Sequence, residues 1–341
     1  MTPNPRPGVL MAAEMAEQPD RWRDLLSQGA EPIEAAVALA EELQPELLLF
    51  LARGSSDHAA QYGQYLAHSL VGIPVALGTP ASTTVYGARL RYPRTLAVAV
   101  SQSGESPDLL ASVQAAQEAG VKVIGITNSE TSTLAGLADI HLPLCAGVER
   151  AVAATKTYTA ELLALYLLIA RLAGRPSDAL AAEVGVAAEV AEELLSGPIP
   201  VDEGVQQGLV TADRVLVIGR GYSMATAKEA ALKLMETSAI AASGWSASDA
   251  THGPLGQVIA GTPVLAFATD PLARPSVTTF VEAAWKLGAE TAVITLTQPV
   301  ATELLPLLEI LPMQRLAHQV ALARGCDPDR PDGLAKVTRT H

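Results

Sequence analysis

The chain has 341 residues, about two domains' worth at roughly 150 residues each. Its 49% apolar and 17% charged residues describe a globular protein and exclude a small staple-dependent fold or a long disordered tail. A net charge of −13 repels polyphosphate and leaves no basic stripe, so no nucleic-acid partner is expected. Cys145 and Cys326 offer neither a disulfide framework nor the CxxC spacing of a metal or redox site.

The amino terminus, Met1 to Val9, alternates prolines with polar residues and has no basic segment leading into an apolar run. It does not read as a secretion signal, and a cytoplasmic location is expected. An apolar run of strand length follows at Leu47 to Ser56, LLLFLARGSS, ending in Arg-Gly-polar. Further runs come at Leu96, LAVAVSQSG, and Val121, VKVIGIT, separated by an alanine- and leucine-rich stretch of helical spacing at Asp108 to Ala119. The longest apolar stretch, Leu162 to Ala170, is flanked by Glu161 and Arg171 and is far short of the roughly 20 residues that cross a bilayer, so no membrane span is expected.

Beyond a Pro- and Gly-punctuated segment around Ser196 to Pro200, the pattern repeats. Val215 to Ser223, VLVIGRGYS, matches the first run, with Arg53 and Arg220 lying 167 residues apart; PVLAFATDP from Pro263 matches the second and TAVITLT from Thr291 the third. Thr278 to Leu287 again has helical spacing. Alternating strands and helices imply parallel sheets covered on both faces. The expected fold is therefore α/β, with two tandem doubly wound parallel-sheet domains related by internal duplication. In such sheets ligands sit beyond the carboxyl ends of the strands at the switch point, where Gly54, Ser101 and Gly219 would fall.

Ser101-Gln102-Ser103-Gly104-Glu105-Ser106 leaves one of these strands and precedes a helix start marked by Pro107-Asp108. Three hydroxyls, an amide, a glycine and a helix amino terminus make a phosphate cradle without lysine; an ordinary serine-rich turn is the alternative. Gly54-Ser55-Ser56 leaves its strand in the same way, so two hydroxyl-bearing loops can converge on one phosphate. Gly219-Arg220-Gly221 would suit a dinucleotide, but Met224 stands where the third glycine belongs, and no acidic residue ends a following strand about 20 residues on. Lys228 to Ile240 reads as a helix carrying Lys233 and Glu236 at i and i+3, followed by a loop running to His252-Gly253-Pro254. Taken alone, the pair fits a solvated ion pair, the histidine a structural residue, and Asp332 to Lys336 a frayed terminus.

Together these motifs resemble one family. GSS at Gly54, SQSGES at Ser101, VAATKTYTAEL at Val152, GRG at Gly219, EAALKLMETS at Glu229, HGP at His252 and LAK at Leu334 stand in the order found in the double sugar isomerase (SIS) proteins. The chain is similar, over almost its whole length, to the isomerase half of glucosamine-6-phosphate synthase (glutamine-fructose-6-phosphate aminotransferase) and to its stand-alone glucosamine-6-phosphate deaminase relatives. The resemblance implies flavodoxin-like domains at 41–190 and 200–330, a helical arm at 1–40 and a tail at 331–341 contributing to the active site.

It also implies roles. Ser56, Ser101, Gln102, Ser103 and Ser106 would hold a sugar phosphate, with Ser55, Val152 and Ala335 lining the sugar. Glu236 would move a proton between carbon 1 and carbon 2, and His252, supplied across a dimer interface, would assist ring opening. Lys336 would form a Schiff base with the open-chain carbonyl, and Lys233 would polarise a sugar oxygen or orient Glu236. No cofactor and no metal are implied, since His252 has no ligand-spaced companions. Arg53 and Ala154 depart from the synthase, which has cysteine and serine there. Met1-Thr2 stands where the synthase carries a glutaminase domain, so glutamine is not the expected nitrogen source.

The implied activity is that of an aminosugar-phosphate deaminase and isomerase, taking glucosamine-6-phosphate reversibly to fructose-6-phosphate and ammonia. The implied ligand is a hexose or aminohexose 6-phosphate, and the implied assembly a homodimer. The alternatives are a deaminase of another hexose or fructosamine phosphate, a plain aldose-ketose isomerase, and a non-catalytic sugar-phosphate sensor.

Overall fold

The long apolar runs fold as strands and the alanine-rich stretches between them as helices. The structure, a computed structural model, describes residues 6–336. Three helices come first, α1 (Val9–Ala16), α2 (Gln18–Gln28) and α3 (Ala30–Leu43). Then follow β1 (Leu47–Leu51), α4 (Ser55–Leu66) with a π-helical turn at Ala67–Val71, β2 (Val75–Leu77), α5 (Pro80–Thr84), β3 (Thr95–Ser101) and α6 (Pro107–Glu118). Next are β4 (Lys122–Thr127), α7 (Thr133–Leu137), β5 (Ile140–Pro143), α8 (Lys156–Leu172) and α9 (Ser177–Ser196). The second half comprises α10 (Glu203–Thr211), β6 (Arg214–Gly219), α11 (Ser223–Ser238), β7 (Ala241–Ser246), α12 (Ala247–Ala250), β8 (Pro263–Phe267), α13 (Arg274–Lys286), β9 (Glu290–Ile294) and α14 (Leu305–Ala323).

The strands form two sheets, ordered β2-β1-β3-β4-β5 and β7-β6-β8-β9, with every neighbouring pair parallel. Counted within each half, the orders are 2-1-3-4-5 and 2-1-3-4, the flavodoxin-like doubly wound order. β1, β3 and β4 recur as β6, β8 and β9, the pairing that the internal offset predicts. Two differences from the sequence pattern stand out. Ala241 to Ser246, expected in a loop, is strand β7, and α11 starts at Ser223 instead of Lys228. A Cβ on Gly219 would lie 2.1 Å from the Ser223 carbonyl oxygen, so only glycine lets the helix begin so soon after β6.

The chain divides into two compact units. Among the described residues, the first-sheet unit comprises Gln18–Glu149 and Lys156–Ala188, and the second-sheet unit 6–17, Arg150–Thr155 and Glu189–Lys336. In the first-sheet unit, all seven residues of β3 are buried, as a strand covered on both faces requires. α8 packs against α2, α3 and α4 and is buried on every side from Lys156 to Ala170. The apolar stretch from Leu162 is thus a core helix. Its polar atoms are satisfied locally: Trp22 Nε1 donates to Thr159 Oγ1 at 3.1 Å, and Thr159 Oγ1 to Gln18 Oε1 at 2.9 Å.

In the second-sheet unit, α11 and α14 pack against each other. A cluster of Leu216, Ile218, Val264, Ala266, Val277 and Phe280 joins β6 and β8 to α13; burying such a side chain fully is worth roughly 1.5–3 kcal/mol. No described helix is long and apolar enough to cross a membrane. Both cysteines are free.

Candidate active site

In the first-sheet unit, β1 and β3 are parallel neighbours with Leu51 paired to Ala99, so the loops that follow them leave side by side at the switch point. α4 begins at Ser55 behind Gly54, and α6 at Pro107 behind Ser106, bringing two helix amino termini to these loops. Such termini carry unpaired N–H groups and the positive end of a dipole. Ser56 and Ser101 are buried, while Ser55, Gln102, Ser103 and Ser106 are half-exposed.

The turn from Ser101 to Ser106 is held from within. Ser101 Oγ accepts from Gly104 N at 3.1 Å and Ser103 Oγ from Glu105 N at 3.3 Å, which leaves both hydroxyl protons available to an anion. Ser106 occupies the N-cap position of α6, but its side chain makes no cap hydrogen bond. The motif's carboxylate faces elsewhere: Glu105 accepts from Thr133 N at 2.7 Å and Thr133 Oγ1 at 2.8 Å, at the start of α7. The turn therefore offers hydroxyls and N–H groups while its carboxylate is engaged at the start of α7. Gly104 has φ +67°, and a Cβ there would lie 2.4 Å from Ser132 Oγ.

Ser56 has a partner that sequence reasoning missed. Its hydroxyl donates to Glu161 Oε1 at 2.7 Å, so the side chain is fixed from α8 and offers its lone pairs, not its proton, to other groups. Glu161 is 1% exposed. A carboxylate directly before the longest apolar run of the chain, Leu162 to Ala170, is the signal that could have found it.

In the second-sheet unit, α11 assembles a three-member charge array. Lys233 and Glu229 are fully buried, and Glu236 is 23% exposed at its side chain. Lys233 Nζ lies 3.2 Å from Glu229 Oε1 and 2.6 Å from Glu236 Oε2. Burial alone would lower the pKa of Lys233, but the two carboxylates more than reverse this and hold it above the ordinary lysine value. Lys233 is therefore a fixed cation at neutral pH, not a proton carrier. Sequence reasoning found the pair at i and i+3; Glu229, one turn earlier, completes it.

The remaining expected residues belong to the same unit. Val152 is half-buried, and its N–H donates to the Asp329 carbonyl at 3.0 Å. Ala335 is exposed and Lys336 half-buried, at the end of the described tail. His252 is exposed on the turn after α12, its N–H bonded to the Asp249 carbonyl at 2.9 Å. Gly219-Arg220-Gly221 leads into α11, and Arg220 Nη1 donates to Ser246 Oγ at 3.2 Å. Among the described residues no group of three or more His, Cys, Asp or Glu could hold a metal ion.

Parallel sheets in this order, with two helix amino termini and a hydroxyl-lined turn at the switch point, define a tandem α/β protein of the class that takes small ligands at the carboxyl ends of its strands. The SIS domain family matches residues 44–171 and 208–304, and the chain belongs to that family. It is 38% identical over 358 residues to the glutamine-fructose-6-phosphate aminotransferase (isomerizing) of Symbiobacterium thermophilum, and 33% identical over 359 residues to that of Gloeobacter violaceus. In each case the match covers 96% of this chain and 58% of the relative, so the chain spans somewhat under three fifths of the length of these relatives. Among solved structures, the C-terminal domain of glucosamine-fructose-6-phosphate aminotransferase from Francisella tularensis superposes with a TM-score of 0.82 at 23% identity, covering 94% of this chain and 98% of that one. Glucosamine-6-phosphate deaminase from Thermotoga maritima gives 0.75 at 23% identity, covering 97% and 100%. Both show the likeness of fold.

Proposed function

We propose that this chain is a phosphosugar isomerase of the SIS type acting as an aminosugar-phosphate deaminase, converting glucosamine-6-phosphate and water to fructose-6-phosphate and ammonia. Ser101, Gln102, Ser103 and Ser106 hold the phosphate through their side chains, Ser56, whose hydroxyl proton goes to Glu161, contributes only its backbone N–H in the first turn of α4, and Ser55, Val152 and Ala335 line the sugar. His252, contributed by the second subunit of a homodimer, assists ring opening. Glu236 takes the proton from carbon 2 of the open-chain 2-amino aldehyde and returns it to carbon 1, leaving an imine at carbon 2. Lys336 adds to that imine and ammonia leaves; water then releases the ketose and regenerates the amine.

The observation that carries this reading is the array on α11. A buried ammonium 2.6 Å from Glu236 Oε2, itself anchored by Glu229, fixes the orientation of a carboxylate that remains partly open to a ligand, as a general base requires. The hydroxyl-lined turn, whose one carboxylate is engaged by Thr133, supports a phosphate-bearing substrate.

The test is release of ammonia and fructose-6-phosphate from glucosamine-6-phosphate by the purified protein. Glu236→Gln is expected to lower turnover by about 10²–10⁴-fold, the range for a lost general base, and Lys336→Ala to abolish ammonia release. Turnover that survives both substitutions contradicts the assigned roles.

A further inference from the structure

α1 makes no side-chain cap of its own, yet its first N–H groups are satisfied. Asp329, more than 300 residues away in sequence, accepts from Leu10 N at 2.9 Å and Met11 N at 2.7 Å through its two carboxylate oxygens. The same stretch adds Asp327, whose Oδ1 accepts from Gly8 N at 3.2 Å and Asp329 N at 3.0 Å. His318 Nε2 bonds the Gly8 carbonyl at 2.8 Å. A buried carboxylate at a helix amino terminus is stabilised by both the hydrogen bonds and the dipole.

One turn later α1 reaches a different segment. The Glu14 carboxylate, on a residue 4% exposed, accepts from the N–H of Arg150 and, at 3.2 Å, from that of Ala151. Met11 and Met15 pack on Ala151 in the same small core cluster. The circuit closes where Val152 N donates to the Asp329 carbonyl at 3.0 Å. One helix thus grips two backbone segments that also grip each other. The first carries Val152; the second runs through two short turns, Arg330 N to Asp327 O at 3.1 Å and Leu334 N to Pro331 O at 3.3 Å, to Ala335 and Lys336.

We infer that Glu14 and Asp329 are positioning residues, and that α1 is a brace setting the Val152 segment and the Ala335-Lys336 segment in one fixed arrangement. The inference rests on the proposed function for the meaning of those segments, but its geometry is independent of that reading. Both carboxylates are buried and accept from backbone N–H groups. An amine that must attack a carbonyl tolerates little displacement, and a misplacement of about 1 Å costs about a hundredfold in rate. The circuit lies within the second-sheet unit, whereas the residues proposed to hold the phosphate belong to the first-sheet unit.

Two readouts on Glu14→Ala and Asp329→Ala test the brace. In the first, amide hydrogen exchange is followed in peptides covering 150–155 and 327–336. Each substitution is expected to speed exchange about tenfold in both segments, including the one its side chain does not touch. Faster exchange confined to the directly contacted segment overturns the brace. In the second, steady-state kinetics with glucosamine-6-phosphate are expected to show kcat lowered at least about tenfold and KM changed less than about threefold. A lower melting temperature with kcat of the folded protein unchanged also overturns the inference, leaving only a stabilising staple. Glu14→Gln and Asp329→Asn, which keep one acceptor oxygen, replace the alanine variants if those fail to fold, with smaller shifts in the same direction. Wild-type protein without turnover removes the proposed function, and the exchange experiment then decides the brace alone.

Discussion

Glu309 carries a pH dependence that can be worked out from its surroundings. It lies on α14, fully buried. Burial pushes its carboxyl up from the ordinary glutamate value of 4.5 to about 7; the neighbouring Ser223 and Thr269 hydroxyls oppose this, Asp270 adds to it, and Thr226 opposes it. Neither carboxyl oxygen has an aligned hydrogen-bond partner, which is why the hydroxyls do not prevail. Between pH 4.5 and about 7 the folded protein holds a proton at Glu309 that the unfolded chain has lost, so the contribution of this group to stability is greatest below 4.5, falls as pH rises through this window, and levels off above it. A displacement of about 2.5 pH units at about 1.36 kcal/mol each gives roughly 3 kcal/mol. Glu309→Gln, similar in shape and uncharged, is expected to match the wild type near pH 4 and to exceed it by about 3 kcal/mol at pH 8. Urea unfolding of both proteins from pH 4 to 8 measures the difference. Parallel pH profiles would refute a buried, titrating Glu309.

Gly104→Ala forces a positive φ on a β-carbon and drives it against Ser132 Oγ, which is pinned between Thr127 Oγ1 and Ala135 N. The expected cost is about 1–3 kcal/mol in unfolding free energy, together with weaker binding of inorganic phosphate by titration calorimetry. If His252 serves the neighbouring subunit, mixing inactive His252→Ala and Glu236→Ala proteins restores part of the activity in mixed dimers, one site in each being intact. Mixed dimers shown by mass spectrometry to have formed, yet without activity, contradict a shared site.

How much could be read beforehand varied with position in the sheet. β1, β3, β6 and β8 are central strands, buried on both faces, and a continuous apolar run marks such strands directly. β2, β5 and β7 lie at sheet edges and leave weaker traces: three residues in β2, His141 and Pro143 in β5, and small polar residues with Gly244 in β7. β9 is also an edge strand, yet its TAVIT run is apolar enough to be seen.

The functional residues follow a similar division. SQSGES is conspicuous because a buried strand opens abruptly into hydroxyls. Lys233 and Glu236 were visible as a pair, but their spacing alone could not separate a solvated pair from a buried array; burial of Lys233 and the presence of Glu229 do that. Glu161 stands immediately before an apolar run, where a charge reads as a boundary instead of a partner for Ser56. Glu14 and Asp329 lie at opposite ends of the chain, and no local pattern announces a helix capped from more than 300 residues away.

The central proposal is that Glu236 shuttles a proton between two sugar carbons. The most direct measurement is deuterium wash-in at carbon 2 of glucosamine-6-phosphate and carbon 1 of fructose-6-phosphate, followed by NMR in heavy water. Wild-type protein is expected to introduce solvent deuterium at these carbons, and Glu236→Gln to introduce none while still binding the sugar phosphate. Equal wash-in by both proteins, or conversion of the sugars by Glu236→Gln at the wild-type rate, contradicts proton transfer by Glu236.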